Sequence, residues 1–88
     1  MFEIFLSKDF VTHFKKLPIS AKKKTDSLVG LLGIDYRDSR LHTKKLHGDN
    51  DLYSFRVGRD YRVIFYFLSG NRIYLLDIQH RKDIYKGL

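Results

Sequence analysis

The sequence predicts an α+β fold, an antiparallel-dominated β-sheet with two N-terminal helices packed on one face. Three observations predict it. Apolar residues fall at helical spacing in two stretches between Ser7 and Gly33. After Asp51 the pattern changes to three runs rich in Tyr, Phe, Val and Ile, the residues that suit a pleated, half-buried surface. Short turn-forming segments, Gly58-Arg59-Asp60 and Ser69-Gly70-Asn71, separate those runs as hairpin connections do.

In chain order, Phe2-Glu3-Ile4-Phe5-Leu6 is short and β-rich and reads as a strand. Ser7 offers an N-cap to a helix carrying Phe10, Val11, Phe14 and Leu17 on one side. Pro18 closes it, because the residue before a proline is pushed out of the α region, and Pro18 also suits the first turn of a second helix. Ala21, Thr25, Leu28, Leu31 and Leu32 share one face of that second helix, Lys22, Lys23 and Lys24 lie on its solvent side, and Gly33 is the expected C-cap. Residues 35–51 are polar and read as irregular. Strands follow at Leu52–Val57, Tyr61–Leu68 and Arg72–His80, and Arg81–Leu88 adds a helical turn. The order β-α-α-β-β-β has no repeat or linker, so a single domain is expected over residues 1–88.

Composition narrows the chemistry. With 43% hydrophobic and 15% aromatic residues, the chain has material for a core and does not resemble a disordered one. It has no cysteine, so disulfides, thiolate zinc sites and thiol nucleophiles are excluded. Glu3 is its only glutamate, which leaves no paired-carboxylate hydrolase. Histidines at 13, 42, 47 and 80 show no metal-ligand spacing, and the scattered glycines form no phosphate loop, so neither metal nor cofactor is expected. No apolar run approaches the length of a membrane span, and a soluble cytoplasmic protein is expected.

What remains is charge. Seventeen Lys and Arg against ten Asp and Glu give +7, spread along the chain rather than held in a tail. Such a surface attracts polyanions through counterion release, although a merely solvated basic face is the plainer reading. Alternation along the strands puts Ser54 and Arg56 opposite Tyr53, Phe55 and Val57, and Arg62 opposite Tyr61, Val63 and Phe65. If both arginines lie on the face away from the helices, their guanidiniums converge in a geometry suited to a phosphodiester. They serve equally as cross-strand partners for Asp49, Asp60 or Asp77. Lys44 and Lys45 add charge at the edge of this face, and His47 follows them, in what otherwise reads as a solvated loop. The run Gln79-His80-Arg81-Lys82-Asp83-Ile84-Tyr85-Lys86 is dense in functional groups. His80 is of the one residue type that exchanges a proton near neutral pH, and Tyr85 either stacks on a base or packs as core.

Taken together, Leu17-Pro18 between the helices, KKLHG at 44–48, LYSFRVGRDYRVIFYF at 52–67 and HRKDIYK at 80–86 resemble the RelE/ParE superfamily of type II toxins over residues 2–87. That resemblance implies the compact toxin fold and a toxin–antitoxin role. RelE-like members are ribosome-dependent mRNA endonucleases that cut the codon in the A site by attack of the ribose 2′-OH on the adjacent phosphate. ParE-like members poison DNA gyrase. Carried over by motif, Arg62 matches the family's phosphate-binding strand arginine, Arg56 a basic position that is lysine in RelE, and Tyr85 the C-terminal catalytic tyrosine. Ser54 replaces a lysine that acts on the 2′-OH, and Gln79 replaces an arginine assigned as general acid; His80 and Arg81 stand nearby as substitutes.

The expected function is therefore a RelE-like mRNA endonuclease, with a ParE-like gyrase poison or an inactive toxin-fold interaction protein as the alternative. Arg56, Arg62, His80, Arg81 and Tyr85 are the expected catalytic residues, and Lys44, Lys45, His47 and Ser54 the expected substrate-binding ones. The implied partners are mRNA on the ribosome and a cognate antitoxin, an acidic, partly disordered protein that folds on binding.

Overall fold

A computed structural model describes residues 1–46 and 51–84. Strand β1 (Glu3–Leu6) leads into helices α1 (Lys8–Lys15) and α2 (Ile19–Ile34), followed by a 3-10 turn at Ser39–Leu41. Strands β2 (Lys44–Lys45), β3 (Tyr53–Val57), β4 (Tyr61–Leu68) and β5 (Arg72–His80) complete the chain. The five strands form one sheet in the order β1-β5-β4-β3-β2. All neighbours are antiparallel except β1, which runs parallel to β5 with Glu3 beside Arg72 and Leu6 beside Leu75. The α+β architecture expected from the sequence is the one present.

The core lies between the helices and one face of the sheet. Leu32 of α2, Leu41 of the 3-10 turn and Phe55, Val63, Phe65, Ile73, Leu75 and Ile78 of the sheet are fully buried there, with Phe10 of α1 beside them. Each such side chain contributes about 1.5–3 kcal/mol through its removal from water. The connection from β4 to β5 is a tight reversal in which Gly70 and Asn71 have φ of 72° and 59°, the positive pair that a type I′ hairpin needs.

The spacing of the buried β5 residues is uneven. Ile64 pairs with Asp77 and Phe65 with Leu75, so Leu76 is an extra residue without a partner, a β-bulge. The bulge shifts the alternation, which lets Ile73, Leu75 and Ile78 all face the core. Ser7 holds it in place: its Oγ donates to the Leu76 carbonyl at 2.6 Å and accepts from Phe10 N–H at 2.9 Å as the N-cap of α1. One hydroxyl thus ties the start of α1 to the irregularity in β5.

Three local expectations are corrected. Gly33 is not the C-cap of α2, which continues through Ile34 to an Asp35 cap. Gly33 instead lets the helix approach β1: its carbonyl accepts from Phe2 N–H at 2.7 Å, and a Cβ there would lie 3.3 Å from the Phe2 carbonyl oxygen. Pro18 sits at the N-cap of α2, with α1 already ended at Lys15. The segment 35–46 is not wholly irregular, since Lys44 and Lys45 form an edge strand on β3 and Asp38 starts the 3-10 turn. Lysine is depleted in strands, and two residues are too short to carry a pattern. No helix among the described residues is long and apolar enough to cross a membrane.

The Asp38 carboxylate accepts from Arg40 N–H at 2.9 Å and from the Arg40 guanidinium at 3.0 and 2.9 Å. Those bonds to Arg40 hold its pKa down to about 2. Because the folded value lies below the unfolded one, this contribution to stability is present above ~4 and is lost as pH falls through about 2. By NMR, the Asp38 carboxyl should titrate at about 2 in the parent protein and return towards ~4 in Arg40→Gln. Ser7→Ala removes a cap and leaves the Leu76 carbonyl without its donor, so the urea midpoint should fall by an amount equal to about 2 kcal/mol with an unchanged m-value. An unaltered midpoint would mean that Ser7 does not hold the bulge.

Candidate nucleic-acid interface

On the sheet face away from the helices, register rather than sequence proximity gathers the basic residues. Lys44 lies opposite Ser54, Arg56 opposite Arg62, and Arg62 opposite Gln79, so these side chains share one face across β2, β3, β4 and β5. Lys44, Ser54, Arg56 and Arg62 line a cleft of about 550 Å³ together with Arg81 and Lys82, which follow β5, and His42, which precedes β2. Ser54, only 3% exposed, sits in the floor, while Arg56, Arg81 and Lys82 are exposed.

Arg56 and Arg62 face each other directly across the β3–β4 ladder. Like charges at that spacing repel. Arg62 Nη1 donates to the carbonyls of Tyr61 (3.0 Å) and Arg59 (3.3 Å), which fixes its guanidinium without neutralising it. The carboxylates considered as partners are otherwise placed. Among the described residues the ion pairs are His13–Asp77 at 2.6 Å, Arg40–Asp38 at 2.9 Å and Lys45–Asp51 at 3.5 Å, so none of the cleft cations joins one. Asp49 lies outside the described residues. Two opposed guanidiniums at the floor of a cleft, neither paired with a carboxylate among the described residues, have the donor geometry that suits an anion with several oxygens, such as a phosphodiester.

The other candidates divide. Lys45 points to the helix side, in register with Tyr53, and pairs with Asp51 rather than entering the cleft. His80 does not join Arg56 and Arg62. Its register partner is Tyr61, on the core face, and its ring meets that of Tyr61 edge-on at 5.8 Å. Its Nδ1 accepts from Lys82 N–H at 3.1 Å, and its carbonyl closes the turn through Asp83 and Ile84 N–H. The bulge at Leu76 is the cause, since it inverts which β5 side chains look towards Arg62. Gln79 takes that side instead, with its amide donating to Asp77 at 2.8 Å. His47 and Tyr85 lie outside the described residues.

His42 was not singled out by the sequence reading, and its spacing to the other cleft residues carries no motif. The one local cue is Asp38 ahead of Ser39-Arg40-Leu41, a capped turn that ends on His42. The described residues hold no group of three His, Asp or Glu placed to bind a metal ion.

No protein-family model and no curated protein matches the sequence. Solved structures do. A chain of the RelB–RelE antitoxin–toxin complex from Methanococcus jannaschii superimposes with a TM-score of 0.77 at 27% identity, covering 96% of this chain and 98% of that one. The RelE–RelB complex from Pyrococcus horikoshii OT3 gives 0.78 at 24% identity, covering 93% and 97%. YafQ from E. coli gives 0.77 at 14% identity, covering 97% and 99%. The fold implied by the motifs at 44–48, 52–67 and 80–86 is the fold present, and this chain is similar in fold to toxins of the RelE/ParE superfamily.

Proposed function

We propose that this chain is the toxin of a type II toxin–antitoxin pair and an endoribonuclease that cuts mRNA held on the ribosome. The observation that carries this reading is the opposed Arg56–Arg62 pair, which lacks a carboxylate among the described residues and lies in a cleft edged by Lys44, Arg81 and Lys82. An arrangement that costs stability in the free protein is repaid when a polyanion enters. In the reaction the 2′-OH attacks the adjacent phosphorus, and negative charge grows on the non-bridging oxygens. Arg56 and Arg62 bind those oxygens in advance, a fixed electrostatic stabilisation of the transition state. Arg81 and Lys82, on the opposite edge from Lys44, neutralise the leaving 5′-oxygen. The Ser54 hydroxyl donates to the ribose or phosphate, and the ribosome supplies in-line positioning. Tyr85, matched by motif to a catalytic tyrosine, is a further contributor to this chemistry. The protein acts in the cytoplasm, where its substrate is.

A toxin of this kind is held in check by a partner, and structures similar to this chain are complexes of toxin with antitoxin. We assign it a cognate antitoxin, an acidic segment that folds as it covers the basic face.

Primer extension on translated messages after induction tests the reading. Cuts in register with codons support it; intact messages with arrested supercoiling would replace it with ParE-like gyrase poisoning, a reading favoured by Gln79, whose amide is committed to Asp77. Arg56→Gln separates function from stability. It should lower cleavage by roughly 100-fold yet raise stability by about 0.5 kcal/mol in a denaturant titration, because like-charge repulsion is relieved. A loss of both would make Arg56 a structural residue. The same substitution should reduce the slope of log K against log salt for single-stranded RNA by about 0.7, the value for one phosphate contact.

A further inference from the structure

We propose that His42 is the general base that takes the proton from the attacking 2′-OH, an assignment that rests on the reading of the cleft as a ribonuclease site. With His80 turned to the core face, His42 is the imidazole lining the cleft among the described residues. Its ring nitrogens have no hydrogen-bond partner there. His80 and His13, by contrast, each commit Nδ1, to Lys82 N–H and Asp77 respectively. Its surroundings on the cleft side are cationic, with Lys44 on β2, Arg56 on β3, Arg62 on β4, and Arg81 and Lys82 after β5. On its other side lie Lys45 and Asp38, the latter bound by Arg40.

The backbone fixes where the His42 side chain begins. His42 has φ 51° and ψ 46°, a left-handed conformation that is strained for a residue other than glycine or asparagine. The neighbours on each side are fixed. Leu41 is fully buried, and the Thr43 hydroxyl donates to the Tyr36 carbonyl at 2.6 Å. His42 N–H itself donates to Ser39 at 3.2 Å. A strained residue on a rigid support is how a reacting group is presented, and imidazole is the side chain suited to moving protons near neutrality.

Position decides the role. His42 stands before β2, and Arg81 and Lys82 stand after β5, so three strand spacings, roughly 14 Å of backbone, separate the two walls. Arg56 and Arg62 form the floor between them. In-line displacement requires nucleophile and leaving group on opposite sides of phosphorus, which matches a base on one wall and cations on the other. His42 accepts the 2′-OH proton as the O2′–P bond forms. The P–O5′ bond breaks to leave a 2′,3′-cyclic phosphate, and the 5′-oxygen, neutralised by Arg81, takes a proton from water. The imidazolium then returns its proton to the hydroxide so formed.

The test uses ribosomes carrying a short message in the A site, under single turnover. His42→Asn keeps a residue that tolerates the left-handed backbone, so it should bind ribosomes within threefold of the parent and cleave about 100-fold more slowly. His42→Gly should behave alike and recover cleavage when free imidazole is added. A message with sulfur at the 5′-bridging position has a leaving group that needs no help. His42→Asn should stay slow on it, whereas Arg81→Gln should recover. Cleavage by His42→Asn within threefold of the parent, or failure of imidazole to restore His42→Gly, would overturn the assignment. Recovery of His42→Asn on the sulfur substrate would overturn the base role. A parent protein that cleaves no message would overturn the ribonuclease reading itself, and this assignment with it.

Discussion

The placement of charge on this molecule depends on one hydroxyl. Ser7 Oγ donates to the carbonyl of Leu76, the unpaired residue of the β5 bulge, while capping α1 through Phe10. The bulge bends the phase of β5, so residues before it and after it present opposite parities to the core. Ile78 therefore joins Ile73 and Leu75 inside, and Gln79 and Asp77 turn outward beside Arg62 and Ile64. Without that extra residue, strict alternation from Leu75 would turn the Asp77 carboxylate to the core face opposite Val63, set Ile78 opposite Arg62 and put His80 on the cleft face. The His13–Asp77 contact, the recess shared by Ile64, Leu76 and Ile84, and the exclusion of His80 from the cleft all follow from this single irregularity.

Most of the fold was legible because most of it follows simple periods. Strands β3 and β4 alternate cleanly, so the shared face of Ser54, Arg56 and Arg62 could be read from the sequence alone. Helices α1 and α2 announce themselves through Ser7, Pro18 and their apolar spacing. Two kinds of feature escaped. The bulge leaves no mark in composition, since Leu76 is as good a strand residue as its neighbours, and its consequence fell on His80. The 35–46 segment is organised by side-chain bonds from Asp38 and Thr43 and by one buried leucine, Leu41, none of which has a period. His42 is placed by that segment and so escaped too. The motifs that resemble the toxins pointed to Arg56 and Arg62, which line the cleft, but they are silent on a residue whose position is set by a capped turn.

Chemical purpose and thermodynamic ease pull apart at this floor. A sheet designed only for stability would set a carboxylate opposite Arg56, as Lys45 has Asp51 and Arg40 has Asp38 elsewhere on the surface. Here nearby acidic side chains are diverted: Asp77 to His13 and Gln79, Asp38 to Arg40. The hydrophobic sheet beneath, with Phe55, Val63 and Phe65 fully buried, is what allows the protein to carry an unbalanced cluster on its open face.

The parallel pairing of β1 with β5 has a consequence for assembly. Glu3–Leu6 docks against Arg72–Leu75, so the sheet joins one end of the chain to the other across almost seventy residues. The antiparallel β3–β4–β5 meander, whose connections are short, can form by itself from neighbouring segments. Strand β1 has nothing to pair with until β5 exists, and the Ser7 bond to Leu76 can close only after that. Pairing of Phe5 and Leu6 therefore waits until Tyr74 and Leu75 have been made. Closing this span carries an entropic cost that slows folding, one that the short connections of the meander do not carry.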